Sequence, residues 1–126
     1  MIAQKLREVT DADRRQWQLH AGLALCELLS QACTDGLPLL AWKLTTVGLV
    51  GEVPCSYGRR DEDADYRRWC EHLGAVSGSA KRTLDGVLHL RASASYRMRR
   101  GHDVQVTIVA NLQPQPQQQD IFRESA

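Results

Sequence analysis

The sequence predicts an α+β fold: two helix–β-hairpin units forming a four-stranded antiparallel sheet, with two helices packed on one face. Three observations predict it. Residues 84–112 alternate apolar and polar side chains, Leu88, Leu90, Ala92, Ala94, Tyr96 and Met98 against His89, Arg91, Ser93, Ser95 and Arg97. That period of two belongs to strands with one dry and one wet face. Two other segments carry apolar residues at spacings of three and four, the period of a helix buried along one stripe. Finally, the two helical segments resemble each other, with seven of twelve positions identical between 11–22 and 63–74.

The first helix starts at Thr10, an N-cap with Asp13 three residues on, and runs to about Cys33. Its stripe is Trp17, Ala21, Ala24, Leu25, Leu28 and Ala32, widened by Leu23 and Leu29. Gly36 ends it. A first hairpin follows, with Leu40, Trp42 and Leu44 on one face. Gly48 suits the first central position of a type II′ turn at 47–50, which sets Leu44 opposite Val53 and Trp42 opposite Cys55. Residues 56–62 read as a charged loop. The second helix begins near Asp63 and ends at Gly74, with Tyr66, Trp69, Cys70 and Leu73 as its stripe. Residues 75–80 read as a flexible connector to the long hairpin.

In that hairpin Met98 and Val104 share a face, so paired residue numbers must sum to an even value. A three-residue loop, Arg100-Gly101-His102, satisfies this and sets Tyr96 opposite Val106, Ala94 opposite Ile108 and Leu90 opposite Leu112. The expected organisation is a single domain over 1–112, with an internal αββ repeat over 11–55 and 63–112. A Gln/Pro-rich tail covers 113–126. The repeat has two explanations: duplication, or two helices that share the same start chemistry.

Composition bounds the function. The net charge is +1, so no global field drives the chain onto nucleic acid or an anionic membrane. No run reaches the ~20 apolar residues of a membrane span, and no membrane partner is expected. The N-terminus lacks the apolar core of an export signal, and the four cysteines show no C-x-x-C spacing. A cytoplasmic chain with free thiols is the expectation. The basic residues are thirteen Arg against three Lys.

The phrases Leu37-Pro38-Leu39-Leu40-Ala41-Trp42, Leu49-Val50-Gly51-Glu52-Val53, Trp69 with Leu73-Gly74-Ala75, and His89-Leu90-Arg91-Ala92 carry a resemblance. With the Arg-rich composition, they make residues 10–112 similar to small uncharacterised actinobacterial single-domain proteins. The resemblance implies a stand-alone domain from a mobile-element gene neighbourhood. It transfers no activity, cofactor or catalytic residue.

Candidate site residues are His89, Arg91, Arg97, Arg99, Arg100 and His102, on the wet face and tip of the long hairpin. Arg offers a planar fork for carboxylate or phosphate, so this ribbon could meet an anion or a partner protein. The plain alternative is a solvated face. No aromatic residue alternates on that face, which argues against base stacking. For metal, Cys26 and Cys33 lie too far apart on one helix to share an ion, about 10 Å. His20 and His72 could meet if the helices pack side by side. No nucleophile–base–orienter set and no phosphate loop stands out. The expectation is a non-enzymatic protein-interaction or adaptor module without a cofactor, self-associating through a sheet edge or the polar face. A nucleic-acid-binding regulator using residues 91–102 is the alternative. A small metal-dependent hydrolase built on His20, His72 and the cysteines is a third class.

Overall fold

The computed structural model describes residues 8–54 and 61–114. Helix α1 (Asp11–Asp35) starts on a reciprocal capping box. The Thr10 hydroxyl accepts from the Asp13 N–H, and the Asp13 carboxylate accepts from the Thr10 N–H. It ends at Gly36, whose φ of 65° lets the cap N–H reach the Ala32 carbonyl. Helix α2 (Glu62–Leu73) is capped by Asp61 and closed by Gly74. Both helices therefore form where cap chemistry and apolar stripes place them.

The sheet is larger than expected. Strands β1 (Ala41–Leu44), β2 (Leu49–Glu52), β3 (Val76–Arg82), β4 (Leu88–Arg97) and β5 (Asp103–Leu112) form a five-stranded sheet in the order β1-β2-β5-β4-β3. It is mixed, because β2 runs parallel to β5 while the other pairs are antiparallel. The four-stranded antiparallel arrangement is corrected on both counts. The additional strand is β3, which occupies the stretch read as a flexible connector. Its small residues, and a register shift between Ser77 and Ser79, hide any alternation. The parallel pair arises because the chain leaves β2 through α2 and returns to it only with β5. β5 thus becomes a central strand, and Val104, Val106, Ile108 and Ala110 are all buried.

The long hairpin keeps its predicted faces but not its register. Leu88 pairs with Leu112, Ala94 with Val106 and Tyr96 with Val104. The loop is still three residues, Arg99 to Gly101, closed by the Met98 N–H to the His102 carbonyl at 2.8 Å. Each β4 residue therefore pairs two positions earlier on β5 than a loop at 100–102 would give, Tyr96 with Val104 in place of Val106. The sum stays even, so each side chain keeps its face. In the first hairpin, Trp42 pairs with Gly51 and Leu44 with Leu49, so the turn lies at Thr45–Gly48. Leu44 therefore does not face Val53. Cys55 lies outside the described residues, as do most of the charged loop and residues 115–126.

Both helices lie on the even-numbered face of β4 and β5. Ala21, Ala24 and Leu28 of α1 join Tyr66 and Trp69 of α2, Leu49 of β2, and Ala92, Val106 and Ile108 in one core. Trp69 is its hub. It is 1% exposed, donates from its indole N–H to the Pro38 carbonyl at 2.7 Å, and meets Trp42 edge to face. The repeated sequence does not give equivalent surroundings. Trp17, which aligns with Trp69, is 43% exposed, and Gly22 lies within α1 where Gly74 closes α2.

Candidate functional site

The six predicted site residues are divided among the two faces of the sheet and the loop of the long hairpin. His89, Arg91 and Arg97 project from the face away from the helices, all exposed. His89 bonds the Asn111 side chain across the pair, and Arg97 lies 3.6 Å from the Asp103 carboxylate. Arg91 and Arg97 stand six residues apart on one strand, about 20 Å. They form no single anion cradle, and one of them already faces a carboxylate. Arg99 and Arg100 lie exposed in the loop. Among the described residues neither has a carboxylate at ion-pair distance. His102 belongs to the other face. It pairs with the buried Met98 and stacks on His20 of α1, with centroids 4.0 Å apart.

His20 of that stack lines a cleft between α1, the β1–β2 turn and β5. Trp17, His20, Thr46, Gly48, Asp103 and Gln105 contribute to its lining, and its volume is about 280 Å³. This is at the lower limit of small-molecule sites, roughly 300 Å³ upward. The Gln16 amide bonds His20 Nε2 at 3.2 Å. The cleft has one imidazole, His20, and the Asp103 carboxylate in its lining, but among the described residues no hydroxyl is held by that ring as a nucleophile would be.

His20 and His72 do not meet. His72 packs edge-on to Trp69, and its Nε2 bonds the Gln31 side-chain Oε1 at 2.7 Å. Gln31 stands eleven residues beyond His20 on the same helix, about 16 Å. Among the described residues, no three His, Cys, Asp or Glu side chains converge as a metal site requires. Cys26 and Cys33 are exposed, whereas Cys70 is half-buried beside Tyr66. Burial pushes the Cys70 thiol pKa up, against a smaller opposing effect of the Tyr66 hydrogen bond.

A network that sequence reasoning missed joins α1, β4 and α2. The Tyr96 hydroxyl donates to Glu27 at 2.7 Å and accepts from Gln31 at 2.8 Å, and Gln31 in turn bonds His72. The Arg99 N–H also points at Glu27, at 3.4 Å. The signal was present, because Glu27 is the one Asp, Glu, Lys or Arg between Gln16 and Thr34. Burial first, and then the Glu27 hydrogen bond, raises the Tyr96 pKa above its ordinary value. A raised acid pKa means that the folded state holds the proton more tightly. The stabilisation is complete below the unfolded pKa of about 10 and is lost as pH rises through the folded value. Tyr96→Phe is expected to cost about 1–2 kcal/mol at pH 7, since Glu27 loses its donor. Urea titrations of both proteins should show that difference shrinking above pH ~10.

The third surface is the outer side of α1. With Glu27 turned to Tyr96, the exposed side carries Leu19 (54% exposed), Leu23 (37%), Leu29 (44%), Cys26 and Cys33. A helix in water ordinarily puts charge there, and one that is apolar all round is ordinarily covered all round. Among the described residues no helix is long and apolar enough to cross a membrane. Comparison with protein-family models, with curated proteins and with solved structures finds no match.

Proposed function

We propose that this chain is a non-enzymatic protein-interaction module whose contact surface is the outer side of α1. The observation that carries the reading is the uncharged stripe of Leu19, Leu23 and Leu29 on a helix whose opposite side already fills the core. Exposed apolar patches of this kind mark sites of association. The sheet edges support such a role less well. β1 has four residues and presents Lys43. β3 carries an irregularity after Ser77 and ends in Lys81-Arg82. Short, bulged and basic edges resist strand addition. A photo-crosslinking amino acid placed at Leu23, and separately at Arg91 on the opposite face, tests the reading in cells producing the protein. Adducts from position 23 and none from position 91 are expected. Adducts confined to position 91 would move the contact to the polar sheet face, and none at either would end the reading.

Nucleic-acid binding is the second reading, supported by the exposed Arg99 and Arg100 at the hairpin tip. It requires an affinity that falls steeply with salt and weakens when Arg97, Arg99 and Arg100 are changed together to Ala. The Arg97–Asp103 pairing weighs against it.

A further inference from the structure

The exposed residues of α1 have an order of their own. Arg15, Leu19, Gly22, Cys26, Leu29 and Cys33 follow one another at alternating steps of four and three. That is the seam of a two-helix coiled coil, in which each position meets its counterpart on a partner helix. All are exposed except Gly22, which is half-exposed with open space above it. We infer that the partner of this surface is a second copy of the chain, docked α1 to α1 in antiparallel fashion about a two-fold axis that crosses the seam between Gly22 and Cys26. The inference rests on the interaction-module reading and names its partner.

The seam is self-complementary in that arrangement. Leu19 of one copy meets Leu29 of the other, and Gly22 meets Cys26, so the smallest residue lies where the helices cross most closely. Arg15 meets the turn containing Cys33. Charge selects antiparallel over parallel. Among the described residues Arg15 has no carboxylate at ion-pair distance. The last turn of α1 carries no basic residue and ends in Asp35. An antiparallel pair therefore sets Arg15 against the negative end of the partner helix. Arg68 reaches the Asp35 carbonyl from within the same copy, which neutralises that end in part. A parallel pair would set Arg15 against Arg15. Isologous contacts about a two-fold axis are also the commonest way in which identical chains associate. From Arg15 to Cys33 the seam is about 27 Å long. It is a narrow strip, smaller than a standard interface, so the dimer should be reversible with micromolar rather than nanomolar affinity.

The test is the mass of the full chain by sedimentation over rising concentration, read together with the alkylation rate of Cys26. A shift from 14.1 kDa toward twice that mass is expected, with Cys26 slowing in step. Leu19→Glu with Leu29→Glu should weaken association at least a hundredfold and leave unchanged the circular dichroism and the Tm measured at dilutions where the wild type is monomeric, since both side chains are exposed. Oxidised glutathione should join the new thiol of the Gly22→Cys variant to Cys26 of the other copy, identified by peptide mapping. Wild-type protein joined Cys26 to Cys26 would overturn the antiparallel arrangement. A monomer at every concentration overturns the inference, whether Cys26 reacts fast throughout or slowly throughout. Slow reaction would mean that the chain covers this face itself. If the purified protein is monomeric while position 23 still crosslinks to a different protein in cells, the module reading stands and only the second copy is excluded. If neither occurs, both fall.

Discussion

Trp69→Ala is expected to remove a large share of the stability of the fold. The indole is 1% exposed and ties α2 to a distant part of the chain, meeting Trp42 edge to face and donating from its N–H to the Pro38 carbonyl, while it also packs on His72 of its own helix. Truncating a buried Trp costs about 3–5 kcal/mol, out of the roughly 5–15 kcal/mol that a small domain has. At ~4–8 °C per kcal/mol, Tm should fall by at least about 12 °C. Trp69→Phe separates the two contributions, because it keeps most of the packing and strands the Pro38 carbonyl. Calorimetry of both variants checks this, and a shift under ~5 °C for the Ala variant would show that α2 is not anchored through Trp69.

Gly48→Ala should be the second severe change, for a reason outside its own hairpin. Gly48 has φ of 152°, and a Cβ there would stand 2.2 Å from the Gln105 carbonyl oxygen. The obstacle is backbone, so β2 and β5 must separate. The same glycine is held by three bonds to Thr45, among them the Thr45 N–H to the Gly48 carbonyl at 2.8 Å. Strain at an unfavourable φ alone costs about 1–3 kcal/mol, and the displaced strand adds to it. Gly36→Ala is the control. Its φ of 65° is also positive, but nothing lies within 4 Å of the new methyl. It should cost only about 1–2 kcal/mol for the left-handed conformation. Denaturation midpoints of the two variants, measured side by side, should differ clearly. Equal midpoints would show that the β2–β5 contact gives way easily.

What could be read from the chain was whatever local chemistry decides. The Thr10–Asp13 box and Gly36 define α1 without reference to the rest of the molecule, and Gly74 closes α2, whose N-cap Asp61 lies inside the stretch the sequence assigns to a charged loop. The faces of β4 and β5 were legible because parity survives a shift of the loop by one residue. β3 was not legible, because Val76-Ser77-Gly78-Ser79-Ala80 has no apolar alternation and takes its place from pairing with β4. Gly48 was read as a turn residue when its requirement is the approach of Gln105, a contact that no local pattern shows. The same holds for the candidate site. Proximity in sequence groups His102 with the arginines, while its parity places it beside His20. Spacing alone assigns Leu23 and Leu29 to a wider core stripe, and the structure leaves both outside.

The parallel contact of β2 with β5 also bears on the order in which the molecule assembles. β3, β4 and β5 follow one another as a meander whose pairings close short loops, and α2 precedes them directly. β1 and β2 form a two-stranded hairpin that is marginal by itself. It gains its third neighbour only when β5 exists, across an intervening helix and two strands. Contacts so distant in sequence carry the loop-closure cost and form late. Folding should therefore start in the C-terminal half and finish with the docking of β1–β2, and the amides of Leu49 to Glu52 should exchange with solvent before those of β4.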